Sequence, residues 1–415
     1  MKNINTIVLW HCDPKHYLPP KLDDHQLTGI VSDFESQNDN TLNTPYFTIP
    51  RGEFDLKELL DSKSIPKVMH LFIFIDATMP YLPKNLKKAA EKVFICMGDT
   101  HHLPNPITRL RNYIKNEPVD GLIFTNNIRH AHWFRDVTQA NFYFEPAISS
   151  HSFIDSNNLY KNRSSDVVFY GQIGKFHPRR SRIAPLLITK NKIRHIHGNN
   201  RSISQELHSC SAALNITLNS DLNNRIFEIA QTGALLIIDK ISEWNNVGPI
   251  LIPEHNCLMY ESAQELEDIL TDKKRITASQ KKLGLNLHKD YIEKWSLLNI
   301  KNRLRNKSAD PCGLLKYTDN TDRHIDINLD FNIDSRIKIY EYFLELHRTH
   351  EKINVLLNTK YAKIIRQDLA DLPRLKTVNF VNELKQDETN VYLHQEPQEN
   401  ASDFKVNILT KGIHT

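Results

Sequence analysis

Residues 221–239, DLNNRIFEIAQTGALLIID, predict a loop, a helix, a tight turn and a buried strand. Asp221 and Asn223 have short polar side chains that can satisfy the free N–H groups at a helix start. Gly233 follows the apolar stripe of the helix, where a residue with a positive φ commonly ends it. The continuous apolar run at 234–238 is typical of a parallel strand covered on both faces. This order predicts an open α/β sheet that holds its ligand at the strand ends.

The same alternation of apolar runs and helical patterns extends to both sides of this stretch. It predicts mostly parallel sheets. Strands are expected at residues 6–10, 68–75, 93–97, 122–125, 142–144, 166–170, 192–197, 212–217, 248–252 and 257–260. Helices are expected at residues 86–92, 177–187, 203–209, 263–270 and 279–295. The domains predicted from this order are residues 1–160, residues 161–305 and a small accessory α/β unit at 306–415.

Size and composition narrow the function classes. At 415 residues the chain is longer than a single domain with one hydrophobic core usually is, so more than one domain is expected. The formal net charge of +4 is slight for this size, so nucleic acid is not an expected partner, whereas an anionic small ligand is compatible. The five cysteines form no CxxC, which favours a reducing compartment and argues against structural zinc. No apolar run approaches the roughly 18 residues that cross a bilayer. Because MKNINTIVLW predicts a strand rather than a signal peptide, a cytoplasmic protein is expected.

The helix predicted at residues 222–231 carries the strongest candidates for ligand binding. Glu228 can accept both hydrogen bonds of a ribose diol, and Arg225 is a forked donor suited to phosphate. Asn224 precedes them on the same helix. Asp221 is a nucleophile, an electrostatic stabiliser or only a helix cap, and the residues leave these alternatives open. A solvated helix face is the competing interpretation of such charged residues.

A second candidate is the glycine-containing junction that begins with Gly171 and Gln172. It leads into a predicted helix that carries Arg179 and Arg180. Backbone N–H groups at a helix start bind phosphate, and arginines strengthen the binding. The junction has neither P-loop nor GxGxxG spacing, which counts against an NTPase and against a dinucleotide-dependent dehydrogenase.

Polar residues also follow the predicted strands of the first unit. They are Asp76, Asp99, His101, His102 and Asn126. The carboxyl ends of parallel strands line one crevice, so Asp99 and His101 are candidates for a general base or for acceptor binding. A metal site is disfavoured because adjacent histidines point in different directions and no third ligand is evident. His255 either faces the same crevice or is an ordinary loop histidine.

Residues 166–187, DVVFYGQIGKFHPRRSRIAPLL, and residues 210–239 resemble glycosyltransferases of the GT-B fold, within them the group-1-like, CgeB-like proteins. The resemblance extends over residues 65–300. Its most specific part is the pattern N-x-R-x-F-E-x-x-x-x-G, carried by Asn223, Arg225, Phe227, Glu228 and Gly233.

The resemblance implies a GT-B fold with two Rossmann-like, doubly wound parallel-sheet domains that face a cleft. Glu228 would then hold the donor ribose, and Arg225 with Arg179 or Arg180 would neutralise phosphate. Gly171 and Gln172 would line the donor pocket.

The same resemblance implies a metal-independent glycosyltransferase that needs no cofactor. Its donor would be a UDP- or GDP-sugar, and its acceptor a glycan, a lipid-linked glycan or a protein in bacterial surface polysaccharide or glycoconjugate synthesis, compatible with peripheral membrane association. Asp221, Asp99, His101 and His255 would be the catalytic candidates. Position 220 is Ser, where many retaining members carry the first glutamate of an E-x7-E pair, so the stereochemical outcome is open.

Three alternatives remain at this stage. A CMP-Kdo-dependent transferase would use Asp221 as nucleophile, because a covalent adduct divides one hard displacement into two steps. A non-catalytic scaffold of the same fold would bind a nucleotide sugar or glycan and recruit a partner. An epimerase on the same fold would alter the donor without an acceptor.

Overall fold

The computed structural model describes the chain in nineteen segments. They are residues 4–13, 17–31, 44–76, 78, 80–98, 100, 104–126, 128–149, 163–174, 177–198, 200–217, 221–241, 250–305, 333–349, 353–358, 362–369, 378–380, 389–395 and 404–409. The loop expected at 33–43, the start of the strand expected at 248–252 and a strand pattern at 325–331 lie outside these residues.

The first part of the chain forms a seven-stranded parallel sheet, with a separate pair of parallel strands beside it. Its strands are β1 (Thr6–Trp10), β2 (Gln26–Val31), β3 (Tyr46–Ile49), β4 (Gly52–Asp55), β5 (Val68–Ile75), β6 (Tyr81–Lys84), β7 (Ala90–Met97), β8 (Gly121–Phe124) and β9 (Asn141–Phe144). Its helices are α1 (Leu56–Ser62), α2 (Leu86–Ala89), α3 (Pro106–Asn116) and a 3₁₀ helix (Ile128–Phe134). The sheet order is β3-β2-β1-β5-β7-β8-β9, and β4 pairs with β6.

The second part forms a five-stranded parallel sheet in the order β11-β10-β12-β13-β14. Its strands are β10 (Ser164–Phe169), β11 (Arg194–His195), β12 (Cys210–Asn215), β13 (Leu235–Asp239) and β14 (Leu258–Tyr260). Its helices are α4 (Pro178–Thr189), α5 (Asn200–Ser209), α6 (Asn224–Thr232), α7 (Ala263–Thr271), α8 (Lys273–Ser279), α9 (Leu285–Asp290) and α10 (Leu297–Arg305), with π-helical turns at Gln280–Gly284 and Tyr291–Trp295.

A small third unit follows. It contains α11 (Ile333–Thr349), β15 (Ile353–Asn358), α12 (Ala362–Asp368), β16 (Val378–Phe380), β17 (Thr389–Gln395) and β18 (Phe404–Leu409). The sheet order is β16-β15-β17-β18, with only β18 antiparallel to its neighbour. The expected architecture, two Rossmann-like parallel sheets and a small C-terminal α/β unit, is confirmed.

Residues 221–239 form the predicted helix, turn and buried strand. Helix α6 ends at Gly233, which has a φ of 70°, and the buried strand β13 follows at once. Asn223 is the N-cap residue of α6, but its side chain makes no capping hydrogen bond. Asp221 lies two residues before this cap.

Three predicted elements differ from the structure. The strand expected at residues 248–252 is not formed at the described residues 250–252, which are a turn followed by irregular chain. The helix expected at residues 86–92 stops at Ala89, because β7 already begins at Ala90 and pairs with β5 from Val68 onward. Pairing within the sheet overrides the local helical pattern there. The strand expected at residues 192–197 is reduced to Arg194–His195, at the edge of the second sheet.

The helical segment of residues 273–295 packs closely on the turn between α6 and β13. Gln280 donates a hydrogen bond from Nε2 to the carbonyl oxygen of Gly233 at 2.9 Å. A Cβ atom on Gly284 would stand only 2.7 Å from the same oxygen. No helix in the described part of the chain is long and apolar enough to cross a membrane.

We expect Gly284→Ala to lower the free energy of unfolding by about 1–3 kcal/mol, because the added methyl group meets backbone atoms that cannot rotate away. This loss exceeds the ~0.5–1 kcal/mol that alanine gains over glycine in a helix. Thermal unfolding measures the change. Gly174→Ala is the matched control, since a Cβ there has no neighbour within 4 Å. Equal stability of the two variants would contradict the close packing.

Candidate functional site

The candidate site lies where the carboxyl ends of the two large sheets meet. The strand order reverses between β1 and β5 in the first sheet and between β10 and β12 in the second. Such switch points open a crevice in which α/β sheets hold ligands. Two hydrogen bonds join the edges: Leu222 donates from its backbone N to Asn126 O at 3.0 Å, and Ser149 Oγ donates to Asn224 Oδ1 at 2.8 Å.

A cavity of about 300 Å³ lies between the two edges. Its lining residues include His11, Cys12, Tyr17, Asp76, Gly98, Asn126, Ser149 and Asn224. The strand-end rule found Asp76 and Asn126 from the sequence. The same rule applied to β1 would have found His11, which directly follows Trp10. Tyr17 and Ser149 carry no local signal, since only the fold brings them to the cavity.

His11 and Asp76 form an ion pair across the switch point of the first sheet, with Nε2 and Oδ2 3.1 Å apart. Burial acts to lower the pKa of His11, but the neighbouring Cys12 sulfur and the hydrogen bond to Asp76 outweigh it and raise this pKa to about 10. Burial acts to raise the pKa of Asp76, but the hydrogen bond and charge of His11, with Thr78, lower it to about 2. At neutral pH the imidazole is therefore protonated and the carboxylate ionised.

Arg225 lies at the switch point of the second sheet. Its guanidinium carbon is 4.7 Å from the ring centroid of Tyr170, and one terminal nitrogen donates to Asn215 Oδ1 at 3.1 Å. Gly171 makes room for it, because a Cβ there would stand 2.4 Å from the guanidinium. With a φ of 137°, Gly171 also adopts a conformation that side chains strongly disfavour. Gly171 thus packs directly against the guanidinium of Arg225, a contact that no sequence pattern predicted.

Glu228 is almost fully buried behind Arg225. Tyr170 donates a hydrogen bond from its hydroxyl to Glu228 Oε2. Burial raises the pKa of Glu228, although the hydrogen bond from Tyr170 and the charge of Arg225 act against it. The other oxygen, Oε1, has no hydrogen-bond partner in the described part of the chain.

Glu228 Oε1 is one of several unpaired polar atoms around this point. Among the described residues, Asn215 Nδ2, Asn223 Oδ1 and Arg225 Nε are also buried and without hydrogen-bond partners. Each such atom costs about 1–3 kcal/mol when it stays unpaired, so a group of them indicates a place where a ligand supplies the missing bonds.

Arg179 and Arg180, at the start of α4, have different surroundings. Arg179 forms an ion pair with the buried Asp239, which also accepts a hydrogen bond from the backbone N of Thr217 at 2.8 Å. Arg180 is buried and donates from Nε to Ile216 O at 2.9 Å. Burial first, and then the positive charge of Arg225, lower the pKa of Arg180 to about 9. Arg180 therefore belongs to the cluster around Arg225, whereas Arg179 is engaged in holding β13.

Asp221 and Tyr17 complete the surroundings of this cluster. Asp221 is buried, and its charge acts to raise the pKa of Arg180. Tyr17 reaches the cluster from the first sheet, since Arg225 and Glu228 both act on its pKa. Although 42% of Tyr17 is exposed, desolvation and the negative charge of Glu228 raise its pKa to about 12.

The structure does not bring all of the sequence-predicted residues together. Gln172 is exposed beside Gly171. His255 is exposed in the turn before β14, and its carbonyl oxygen accepts a hydrogen bond from Asn286 at 2.8 Å. It does not line the cavity, so its catalytic role stays a prediction without structural support. Asp99 and His101 lie outside the described residues. Among the described residues, no group of three or more His, Cys, Asp and Glu side chains could hold a metal ion.

Residues 163–297 match the family model described as "Glycosyl transferase-like". This match covers the whole second sheet and the Arg225 cluster. No curated protein matches the chain.

Loosely similar solved structures each cover 72–73% of this chain. Sucrose-phosphate synthase from Thermosynechococcus elongatus is 10% identical over 72% of this chain and 97% of its own, with a TM-score of 0.45. Anabaena HepE in complex with UDP-glucose is 10% identical over 73% of this chain and 98% of its own, with a TM-score of 0.46. A T4 phage BGT mutant in complex with UDP-glucose is 13% identical over 72% and 96%, with a TM-score of 0.39. These TM-scores are low, so the chain's own residues must identify its ligands.

We expect Asp76→Asn to lower the pKa of His11 toward its ordinary value of 6.5, because burial then acts without the hydrogen-bonded carboxylate. NMR titration of the imidazole protons, with the His11 signal assigned from His11→Gln, measures the change. Asp61→Asn is the control, since Asp61 pairs with Lys57 at an exposed site. An unchanged His11 titration in Asp76→Asn would contradict the ion pair.

The pair also sets a pH window for stability. The raised pKa of His11 means that its contribution is complete below pH 6.5 and is lost as the pH rises toward 10. The lowered pKa of Asp76 means that its contribution is present above pH 3.8 and is lost as the pH falls toward 2.

Proposed function

We propose that this protein is a glycosyltransferase that binds a nucleotide-sugar donor at Arg180, Arg225 and Glu228. The sugar is transferred in the cavity between the two large sheets. The observation that carries the proposal is the group of buried, unpaired polar atoms around Arg225 and Glu228, and the family match over residues 163–297 supports it because it contains all three residues. An anion between the arginines explains why both positive charges are retained there.

Arg180 lies where a bound anion is electrostatically favoured. It is buried, and Arg225 acts on it with a like charge strongly enough to lower its pKa. Asp221 and the more distant Asp239 compensate this repulsion only in part. A bound phosphate removes the repulsion and accepts charge-assisted hydrogen bonds from both guanidinium groups.

Glu228 completes the donor site. Its unpaired Oε1 can accept a hydrogen bond from a ribose hydroxyl, and it lies three residues after Arg225 on α6, so one helix would hold both ribose and phosphate. The positive φ of Gly171 and the absence of its Cβ leave Arg225 in contact with Tyr170, so the phosphate-binding group is already in place before the donor arrives.

Two arginines favour a diphosphate donor, such as a UDP- or GDP-sugar, over a donor with a single phosphate. They also supply the positive charge that a leaving diphosphate needs, so the proposed reaction requires no metal ion. The CMP-Kdo alternative requires one phosphate and a nucleophilic Asp221. Asp221 lies near Arg180, which suits an electrostatic role, and binding of CMP tests the alternative directly.

The acceptor is proposed to enter from the first sheet, beside His11 and Asp76. In their charged forms neither is an effective general base, because the imidazole has no free electron pair to accept a proton and the carboxylate has a low pKa. The His11 imidazolium is instead suited to donate to a sugar or phosphate oxygen. We propose Asp99 and His101 as the candidates for the general base. A glycan, a lipid-linked glycan and a protein are the proposed acceptor classes.

We expect wild-type protein to bind UDP or GDP more tightly than CMP in isothermal titration calorimetry, and Arg225→Ala to weaken that binding by about 10- to 100-fold, the loss expected for charge-assisted hydrogen bonds. Arg275→Ala is the control, because Arg275 pairs with Glu254 on the exposed side of the same sheet. Tightest binding of CMP would favour the Kdo alternative, and no binding of any nucleotide would refute the donor site.

Hydrolysis of UDP-glucose and UDP-GlcNAc by the same protein separates an enzyme from a binding scaffold. Release of free sugar indicates a transferase that uses water in place of its acceptor. Nucleotide binding without any turnover indicates the scaffold, and a changed sugar that stays bound to the nucleotide indicates the epimerase.

We expect Gly171→Ala to weaken nucleotide binding with little change in the overall fold, because the methyl group displaces the guanidinium of Arg225 and strains a φ of 137°. Calorimetry measures the affinity and circular dichroism checks the fold. Gly174→Ala, three residues along the same loop, has open space for its methyl group and should bind nucleotide like the wild type. Equal affinities in the two variants would show that Arg225 does not depend on Gly171.

A further inference from the structure

The third unit is docked on the first sheet through helix α11. Glu341 accepts hydrogen bonds from the backbone N of Thr108 at 2.8 Å and from Thr108 Oγ1 at 2.7 Å. Thr108 lies in the first turn of α3, whose own N-cap, Asn105, makes no side-chain capping bond. A carboxylate from the third unit thus satisfies and neutralises the positive start of α3.

Buried charges fix the same contact. Arg336 of α11 donates two hydrogen bonds to Asp368 of α12, from Nε at 2.9 Å and from a terminal nitrogen at 2.8 Å, with both side chains buried. The guanidinium carbon lies 5.4 Å from the ring centroid of Trp133, in the 3₁₀ helix of the first domain. This pair joins α11 to α12 within the third unit, whereas the ion pair between Arg111 of α3 and Asp334 of α11, 3.2 Å apart, holds the third unit on the first domain.

From this contact a hydrogen-bond chain runs toward the cavity. Tyr340 of α11 contacts His130 through its hydroxyl and Nε2, 3.0 Å apart. His130 contacts Thr100 through Nδ1 and Oγ1, 2.5 Å apart. All three side chains are buried, with 1–2% exposure. Because an imidazole ring is rigid and has one nitrogen on each side, it transmits the position of the Tyr340 hydroxyl to Thr100.

Thr100 is close in sequence to the wall of the cavity. Strand β7 ends at Met97, and the next residue, Gly98, lines the cavity and donates from its backbone N to Ile75 O at 3.0 Å. Thr100 follows two residues later. Gly98 is therefore held by β5, and Thr100, two residues along the chain, is held through His130 by the third unit.

We propose that Tyr340 is a positioning residue for the transfer reaction, acting through His130 and Thr100 on the cavity wall after β7. The inference rests on the proposed function. The third unit then serves the reaction without touching donor or acceptor. Loss of the Tyr340 hydroxyl frees the wall on the acceptor side and leaves the Arg225 cluster unchanged. Small displacements of groups around reacting atoms reduce turnover strongly.

Tyr340→Phe in the full chain tests the proposal, because it removes one oxygen and keeps the buried ring. Tyr342→Phe is the matched control on the same helix: within the described residues the Tyr342 hydroxyl has no hydrogen-bond partner. Two readouts are compared with wild type. One is amide hydrogen exchange in peptides spanning residues 96–104 and residues 221–241. The other is the rate of UDP-glucose or UDP-GlcNAc hydrolysis, whichever is faster, together with the Kd for UDP.

The proposal expects Tyr340→Phe to speed exchange at residues 96–104 and to lower the hydrolysis rate constant by about tenfold, the scale of a misplaced catalytic wall. Exchange at residues 221–241 and the Kd for UDP stay within about twofold of wild type, because the donor cluster lies on the other sheet. Tyr342→Phe matches wild type in every measurement.

Unchanged exchange at residues 96–104 in Tyr340→Phe overturns the proposal, as does faster exchange with an unchanged rate. A parallel loss of UDP affinity also overturns it, because that result indicates general loosening rather than positioning. If wild type neither binds UDP nor hydrolyses a donor, the proposed function fails and the positioning role fails with it. Exchange at residues 96–104 then reports only whether the anchor at Thr100 exists.

Discussion

Two hydrogen bonds between the carboxyl ends of the two large sheets define the position of the cavity. The bond from Leu222 to Asn126 and the bond from Ser149 to Asn224 hold the carboxyl end of the second sheet against that of the first. Each edge carries a strand-order reversal, so the contact places two crevices face to face. The polar residues of both edges consequently share one cavity, and neither sheet alone encloses it.

The second constraint is steric and concerns one glycine. Without a Cβ at position 171, the guanidinium of Arg225 can lie on the Tyr170 ring and still reach Asn215. In this position the charge of Arg225 acts on the buried Arg180, and the two like charges favour an anion between them. Across the cavity, His11 and Asp76 neutralise each other. The site thus has two arginines with the acids Asp221 and Glu228 on the second sheet, and one paired His11 and Asp76 on the first.

The third unit makes hydrogen bonds that complete part of the first domain. Helix α3 begins without a side-chain cap of its own, and Glu341 supplies the missing carboxylate from another part of the chain. The chain from Tyr340 through His130 to Thr100 passes through the same interface. A unit whose sequence carries no catalytic motif is in this way connected to the wall of the cavity.

The sequence by itself determined the two parallel sheets and identified the residues that are proposed to bind the donor. Continuous apolar runs such as 234–238 define buried strands, and Arg225, Glu228 and Gly171 lie within one short motif or one loop, where local pattern is informative. It did not separate Arg180 from Arg179, because both fit a basic helix start and only burial and Asp239 distinguish them. It also extended a helix through Ala90, where pairing with β5 forms a strand instead.

Only the tertiary structure determined which residues lie across the cavity from the motif that is proposed to bind the donor. His11 and Asp76 are 65 residues apart and become an ion pair only because β1 and β5 are neighbours at the switch point. Glu341 and Thr108 are farther apart still and meet only because the third unit docks on α3. Residue patterns report periodicity within one element, whereas these contacts depend on which elements become neighbours. That choice is made by burial of whole faces and by the order of strands in the sheets.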